Sequence, residues 1–170
     1  MTDPRTQPPL VADERATLAG FLDWQRQTLA LKCAGLTPAQ LAERPVPPSA
    51  MSLLGLVRHL TENERGWFLE VLDGQDVPLL YGAGDADITG VDPEGVDAAE
   101  VTAVFDTWNA ECAQSREVVA RLATLDAIGK DDRGREFSAR WIITHMIEEY
   151  ARHNGHADFL RERIDGATGE

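Results

Sequence analysis

The 170-residue sequence contains no uninterrupted apolar run long enough to span a bilayer, which excludes a transmembrane helix. Basic side chains are few. Sixteen lysines and arginines face 29 aspartates and glutamates, a net charge of −13. Such a chain repels phosphate backbones and anionic lipid surfaces alike, so nucleic acid and membrane are set aside as partners. Cysteine is scarce too: Cys33 and Cys112 sit on predicted helices without CxxC spacing and read as reduced, buried, small apolar side chains. The opening MTDPRTQPPL has no apolar stretch behind its arginine, so it is not a secretory signal, and a cytoplasmic location is expected. Several catalytic signatures are missing. There is no HExxH, no GxSxG elbow, and GAGDADITG lacks phosphate-loop spacing.

What is present is helical periodicity over a single domain, residues 1–170, with 1–9 reading as a flexible N-terminus. A first helix is predicted from about Leu10 to Ala34, with Leu18, Phe21, Leu22, Gln25 and Leu29 along one face and Gly35 ending it. Thr37-Pro38-Ala39-Gln40 opens a short helix with a capping box, and Pro45, Pro47 and Pro48 stop it. A second long helix runs from Ser52 to Asp73-Gly74. The Gly- and Asp-rich stretch 75–96 reads as a crossover connection, with Tyr81 to Asp92 as a lid. A third helix opens at Asp97 with Glu100 in a capping box, its apolar face being Val101, Val104, Phe105, Trp108, Cys112 and Val119. A polar turn, GKDDRGREF, precedes a fourth helix from Ser138 to Gly166, in which Gly155 suggests close packing. No segment alternates with the period of a strand. The fold class is all-α: a helical bundle with one long crossover.

All four histidines fall on the second and fourth long helices. His145, Glu149, His153 and His156 lie within roughly 80° of one another around the helix, and so form one column beside apolar residues. A polar column against a core needs partners. A divalent ion would supply them, bound by two donors at i and i+4 with a third from the facing helix, where His59 is the only histidine. Imidazole and carboxylate suit Zn, Fe, Ni, Co or Mn. The other reading makes these hydrogen-bonded or solvent-facing polar residues, and it applies most to His145 and His156. Glu149 to His153 is i+4 rather than the i+3 of di-iron bundles, so a mononuclear site fits better. Trp67, Trp108 and Trp141 read as core fillers, with pocket lining as the alternative. Glu62, Glu64 and Arg65 read as a solvated face or surface ion pair, with Glu64 alternatively orienting a ligand.

LVRHLTENERGWF and WIITHMIEEYARHNGHADFLRERIDG resemble the signature segments of the DinB superfamily, which includes YfiT-like metal-dependent hydrolases, and more narrowly an actinobacterial branch of it. The resemblance spans nearly the whole chain. It implies an up-down-down-up four-helix bundle and a metal held by His59, Glu149 and His153. Many members carry His-x-x-x-His where this chain has Glu149 and His153; the His/Glu/His set resembles the mycothiol-dependent maleylpyruvate isomerase branch. The resemblance further implies a Zn, Ni, Fe or Mn cofactor and a small thiol such as mycothiol, used by an S-transferase or isomerase against an electrophile. His156 or His145 would then relay a proton or orient a ligand, with Glu64 behind them. Two alternatives stand beside this: a metal-dependent hydrolase with Glu148 or Glu64 as base, and a non-catalytic, metal-stabilised stress-response module that could form a homodimer.

Overall fold

Each long helix begins where a side chain can take over the unpaired N–H groups of its first turn. The computed structural model describes residues 3–82 and 95–169. α1 (Glu14–Cys33) starts at Asp13, whose carboxylate accepts from the Ala16 N–H. The start lies about a turn later than the periodicity suggests, because Asp13 and not the Pro-rich stretch before it offers a cap. α2 (Pro38–Ala42) carries the reciprocal Thr37/Gln40 capping box. α3 (Leu53–Glu64) is capped by Ser52 and continues as a π-helical segment, Arg65–Leu72. α4 (Ala98–Arg121) is capped by Asp97, which accepts from Ala99 and Glu100. α5 (Ala139–Asp165) is capped by Ser138 and ends at Gly166 in the left-handed conformation, φ 78°.

Two features depart from the sequence reading. The second long helix widens to π winding after Glu64, where Phe68, Leu69 and Val71 face the core and Trp67 turns toward α5. Local π winding recurs near functional sites. The polar turn is a hairpin, β1 (Ile128–Lys130) pairing antiparallel with β2 (Glu136–Ser138). Strands of three residues are too short to show alternation. Gly129 explains why the hairpin lies so close to the π segment: a Cβ there would collide with the Val71 carbonyl and the Leu72 Cα.

Ion pairs, an amide hydrogen bond and ring contacts show the helix directions. Glu14 meets Arg140, Gln25 meets Asn154 and Lys32 meets Asp158, so α1 and α5 run parallel. Arg65 meets Glu111 and Asp73 meets Arg121, so α3 and α4 also run parallel. His59 meets His153 while Trp67 meets Trp141, so α3 and α5 are antiparallel. The order is up-down-down-up, and a parallel α3–α4 pair requires a connection that returns the length of the bundle. Residues 83–94 of that connection, and with them most of the lid reading, lie outside the described residues. Its first part is tied down: Glu62 accepts from the Leu80 and Tyr81 N–H groups at 2.6 and 2.7 Å, and Arg65 donates to the Pro78 carbonyl at 2.8 Å.

The core holds charges that the pattern did not place there. Glu62, Glu64 and Arg65 do not form a solvated face. Glu64 is fully buried, because α3 is enclosed by α1, α4 and α5. Arg26 of α1 grips its carboxylate in a two-pronged pair, Nε at 2.7 Å and Nη2 at 2.6 Å, and Tyr150 of α5 donates to it at 2.8 Å. Burial opposes the charge on Glu64, but the Arg26 guanidinium and the tyrosine hydroxyl outweigh it and hold the carboxyl below its ordinary range. Gly155, by contrast, is exposed with nothing near its missing Cβ, so it marks no close packing.

Three outcomes follow. Glu64→Gln, which leaves buried Arg26 with only the partly exposed Asp23 carboxylate as counter-charge, is expected to cost about 3 kcal/mol in urea denaturation. Because the folded-state pKa of Glu64 is depressed, its pairing stabilises fully above the ordinary glutamate range and is lost as pH falls through the lower folded value. The unfolding midpoint should therefore drop with acidification in wild type, and less steeply in the variant. Gly129→Ala should cost about 1–3 kcal/mol by the same measurement, because the hairpin must lift from the π segment to admit a methyl group.

Candidate functional site

α3 and α5 face each other with their polar columns, and the geometry brings His59, Glu149 and His153 together. One donor atom from each lies within 4.8 Å of the others. The His59 and His153 rings meet edge to face with centroids 4.7 Å apart, and His153 Nε2 is 3.4 Å from a Glu149 carboxylate oxygen. His153 is buried, while His59 and Glu149 are half-buried, so the cluster sits at the rim of the core and opens outward.

Neighbours hold these groups in place. The Asn63 amide, one turn along α3, faces His59 Nε2 at 3.1 Å. Arg152 donates to Glu149 at 3.1 Å and also pairs with Glu148. His156 Nδ1 stands 3.4 Å from His153 Nδ1, with the rings edge to face. Burial, reinforced by His59, His156 and Arg152, pushes the His153 pKa down to about 4. At neutral pH His153 is therefore an uncharged imidazole with a lone pair to give, which is the form a metal requires. Two imidazoles and one carboxylate that converge from facing helices are a donor set for a borderline divalent ion, with coordination positions left for small molecules.

The remaining sequence-predicted residues are distributed differently. Both Glu64 oxygens are committed to Arg26 and Tyr150 in the bundle interior. His145 stacks on Trp141 at 4.9 Å and 17°, meets Trp67 edge-on at 4.8 Å, and approaches Glu148 at 3.6 Å. His145, Glu148 and Glu149 also bring donor atoms within 4.8 Å of one another, but Glu148 is exposed and paired with Arg152. The three tryptophans separate. Trp108 is a core filler whose Nε1 donates to the Tyr150 hydroxyl at 2.9 Å, whereas Trp67 is half-buried and Trp141 is 45% exposed. Asn63, Arg152 and Tyr150 went unremarked in the sequence. Asn63 and Arg152 could have been found, since each lies within a turn of a candidate donor.

A family model described as mycothiol-S-transferase matches residues 17–166. The chain belongs to the mycothiol S-transferase family. This is a DinB-like family, and membership supports a mycothiol-related function of transferase type. The fold has a counterpart in the crystal structure of a conserved protein from Enterococcus faecalis. That structure aligns with a TM-score of 0.65 over 92% of this chain and 100% of that one, at 16% identity, which establishes likeness of fold. No curated protein matches the sequence. Metal dependence is typical of DinB-like families, and the His59, Glu149, His153 set fits it. Among the described residues, no helix is long and apolar enough to cross a membrane.

The protein's own thiols stand apart from this site. Cys33 and Cys112 are both free and buried, and burial pushes each pKa up to about 12. A thiol held protonated is a poor nucleophile. Dithionitrobenzoate should therefore release no thionitrobenzoate from the native protein over minutes, and two equivalents per chain after guanidinium unfolding.

Proposed function

We propose that this chain is a metal-dependent S-transferase that joins the sulfur of a small thiol of the mycothiol type to an electrophilic carbon. The observation that carries the reading is the convergence of His59, Glu149 and His153 in a member of the mycothiol S-transferase family whose own cysteines are buried. With both protein thiols held near pKa 12, the sulfur nucleophile has to come from outside.

His59, Glu149 and His153 would hold the metal. When bound, that ion supplies Lewis acidity, which favours the ionised form of a nearby thiol at neutral pH. The chain's own residues do the rest. Asn63 and Arg152 keep the His59 ring and the Glu149 carboxylate in position. His153 remains neutral because it is buried, with the Arg152 guanidinium nearby, so it does not compete for the thiol proton. His156, half-buried beside His153, is the base within reach and takes that proton. The sulfur then forms its bond to the electrophilic carbon, and the leaving group departs with the electron pair of the bond that breaks. In an addition that pair passes instead to the neighbouring atom, which takes a proton.

The test combines metal content with thiol dependence. Wild type reconstituted separately with Zn, Ni, Fe and Mn should hold about one ion per chain by mass spectrometry with at least one of them. His153→Ala should hold none. The loaded protein should consume a small electrophile such as monobromobimane faster with mycothiol than without it. Turnover that needs no thiol would instead indicate hydrolysis, and equal turnover in the fully demetallated protein would remove the metal from the reaction.

A further inference from the structure

α1 packs along α5 and α4 packs along α3, but the backbones of α1 and α4 stand farther apart than those of the other neighbouring helices. A cavity of about 360 Å³ occupies the gap. The side chains on its walls are too short to close it: Ala16 and Ala19 on α1, Ala120 on α4. Its floor is apolar and belongs to the core, with Leu22, Phe68 and Ile143 all buried. Two ties cross from one helix to the other. Toward the start of α1, Arg15 donates to the Val119 carbonyl and, at 2.8 Å, to the Leu122 carbonyl. Further along, Arg116 pairs with Asp23 at 2.9 Å. Eight residues of α1 separate the ties, about 12 Å along the axis, so the opening between them suits a small molecule rather than a helix or strand laid along the groove.

The charged side chains around the cavity are already bonded. Arg15 holds the α4 carbonyls, Arg26 holds Glu64 and Asp23, Arg116 holds Asp23, and the Asp13 carboxylate caps α1. An ionic ligand would have to break these bonds before making its own. A guanidinium bonded at its N–H edge still offers a face on which a flat ring stacks, and Phe68 adds an aromatic surface to the floor. Ser115 is the exception to this pairing. It lines the cavity at 1% exposure, and its Oγ makes no hydrogen bond among the described residues. The hydroxyl lies close enough to Glu64 to help hold that carboxyl low, but not in hydrogen-bond geometry with it. A buried hydroxyl without a partner is unfavourable, and a water held there needs two or more polar partners, which the apolar floor does not offer.

We infer that the cavity between α1 and α4 is a second binding site, one for a small uncharged aromatic molecule bearing a single hydroxyl, whose ring lies among Ala19, Leu22, Phe68 and Ile143 and whose hydroxyl bonds to Ser115. Neither helix carries a candidate metal donor, since His59 is on α3 and Glu149 and His153 are on α5. The site is therefore separate from the proposed thiol chemistry and does not depend on it. It explains why alanine and serine stand where larger apolar side chains would close the bundle, and why one core hydroxyl lacks a partner. A ligand seated on Ser115 also touches Arg26, which lines the same cavity, and so rests against the pair that joins α1 to α3.

Naphthol titrated into the full-length protein is the probe, followed by calorimetry and by the NMR shifts of the Leu22 and Ile143 methyl groups. Saturable binding that moves these methyls is expected, weakened about tenfold or more in Ala19→Leu, which fills the space. Ser115→Ala removes an unpaired hydroxyl and should fold as well as wild type. It should bind naphthol about fivefold more weakly while binding naphthalene undiminished, a split that a merely structural role of Ser115 would not produce. His153→Ala should bind naphthol like wild type, so loss of the metal site and loss of this one are told apart. No saturable binding, or binding indifferent to Ala19→Leu or to Ser115→Ala, would overturn the inference. Tighter binding of naphthoate would make the arginines an anion site instead, and tighter binding of octanol would make the cavity an aliphatic one; either result rules out the class of ligand inferred.

Discussion

The Arg26–Glu64 pair is the constraint on which the rest of the structure depends. Arg26 comes from α1 and Glu64 from α3; Tyr150 of α5 donates to the same carboxylate, and Trp108 of α4 donates to Tyr150. One chain of hydrogen bonds therefore touches all four long helices. Apolar side chains around it can slide with little penalty, but a buried guanidinium and carboxylate tolerate no misalignment. The functional cluster is set by the same register. Glu64 follows Asn63, which faces His59, and Tyr150 follows Glu149. Joining Glu64 to Tyr150 places the facing donors of α3 and α5 opposite each other.

Helix starts were legible because caps are local: Asp97, Ser52, Ser138 and Thr37 each act within three residues of their own position. The grouping of His59, Glu149 and His153 was legible for a related reason, since i and i+4 on one helix share a face and only one histidine stood on the other. What the sequence concealed was pairing over distance. Arg26 and Glu64 are 38 residues apart, and each looks like an ordinary surface charge on its own helix. The hairpin was hidden because its strands are three residues long and its docking depends on Gly129 meeting a helix more than fifty residues earlier. Trp67 and Trp141 looked like Trp108 because spacing does not reveal which face of a helix another element will cover.

The charge distribution carries its own division of labour. The chain carries a net charge of −13, yet the cluster of His59, Glu149 and His153 gathers the Arg152 guanidinium and imidazoles around one carboxylate. Arg152 spans Glu148 and Glu149, so the donor carboxylate is partly neutralised before any ion arrives. Affinity for a divalent ion at this cluster would come from the geometry of three converging donors rather than from bulk negative charge, which would gather calcium or magnesium as readily.

The parallel pairing of α1 with α5 bears on how the molecule is made. The first helix has as its neighbour the last: Glu14 waits for Arg140, Gln25 for Asn154 and Lys32 for Asp158. During synthesis α1 leaves the ribosome long before its partner exists, and contacts of such long sequence separation close late. α5 also carries two of the three candidate metal donors, Glu149 and His153. Completion of the core and the meeting of His59 with Glu149 and His153 are thus one event, reached when α5 docks.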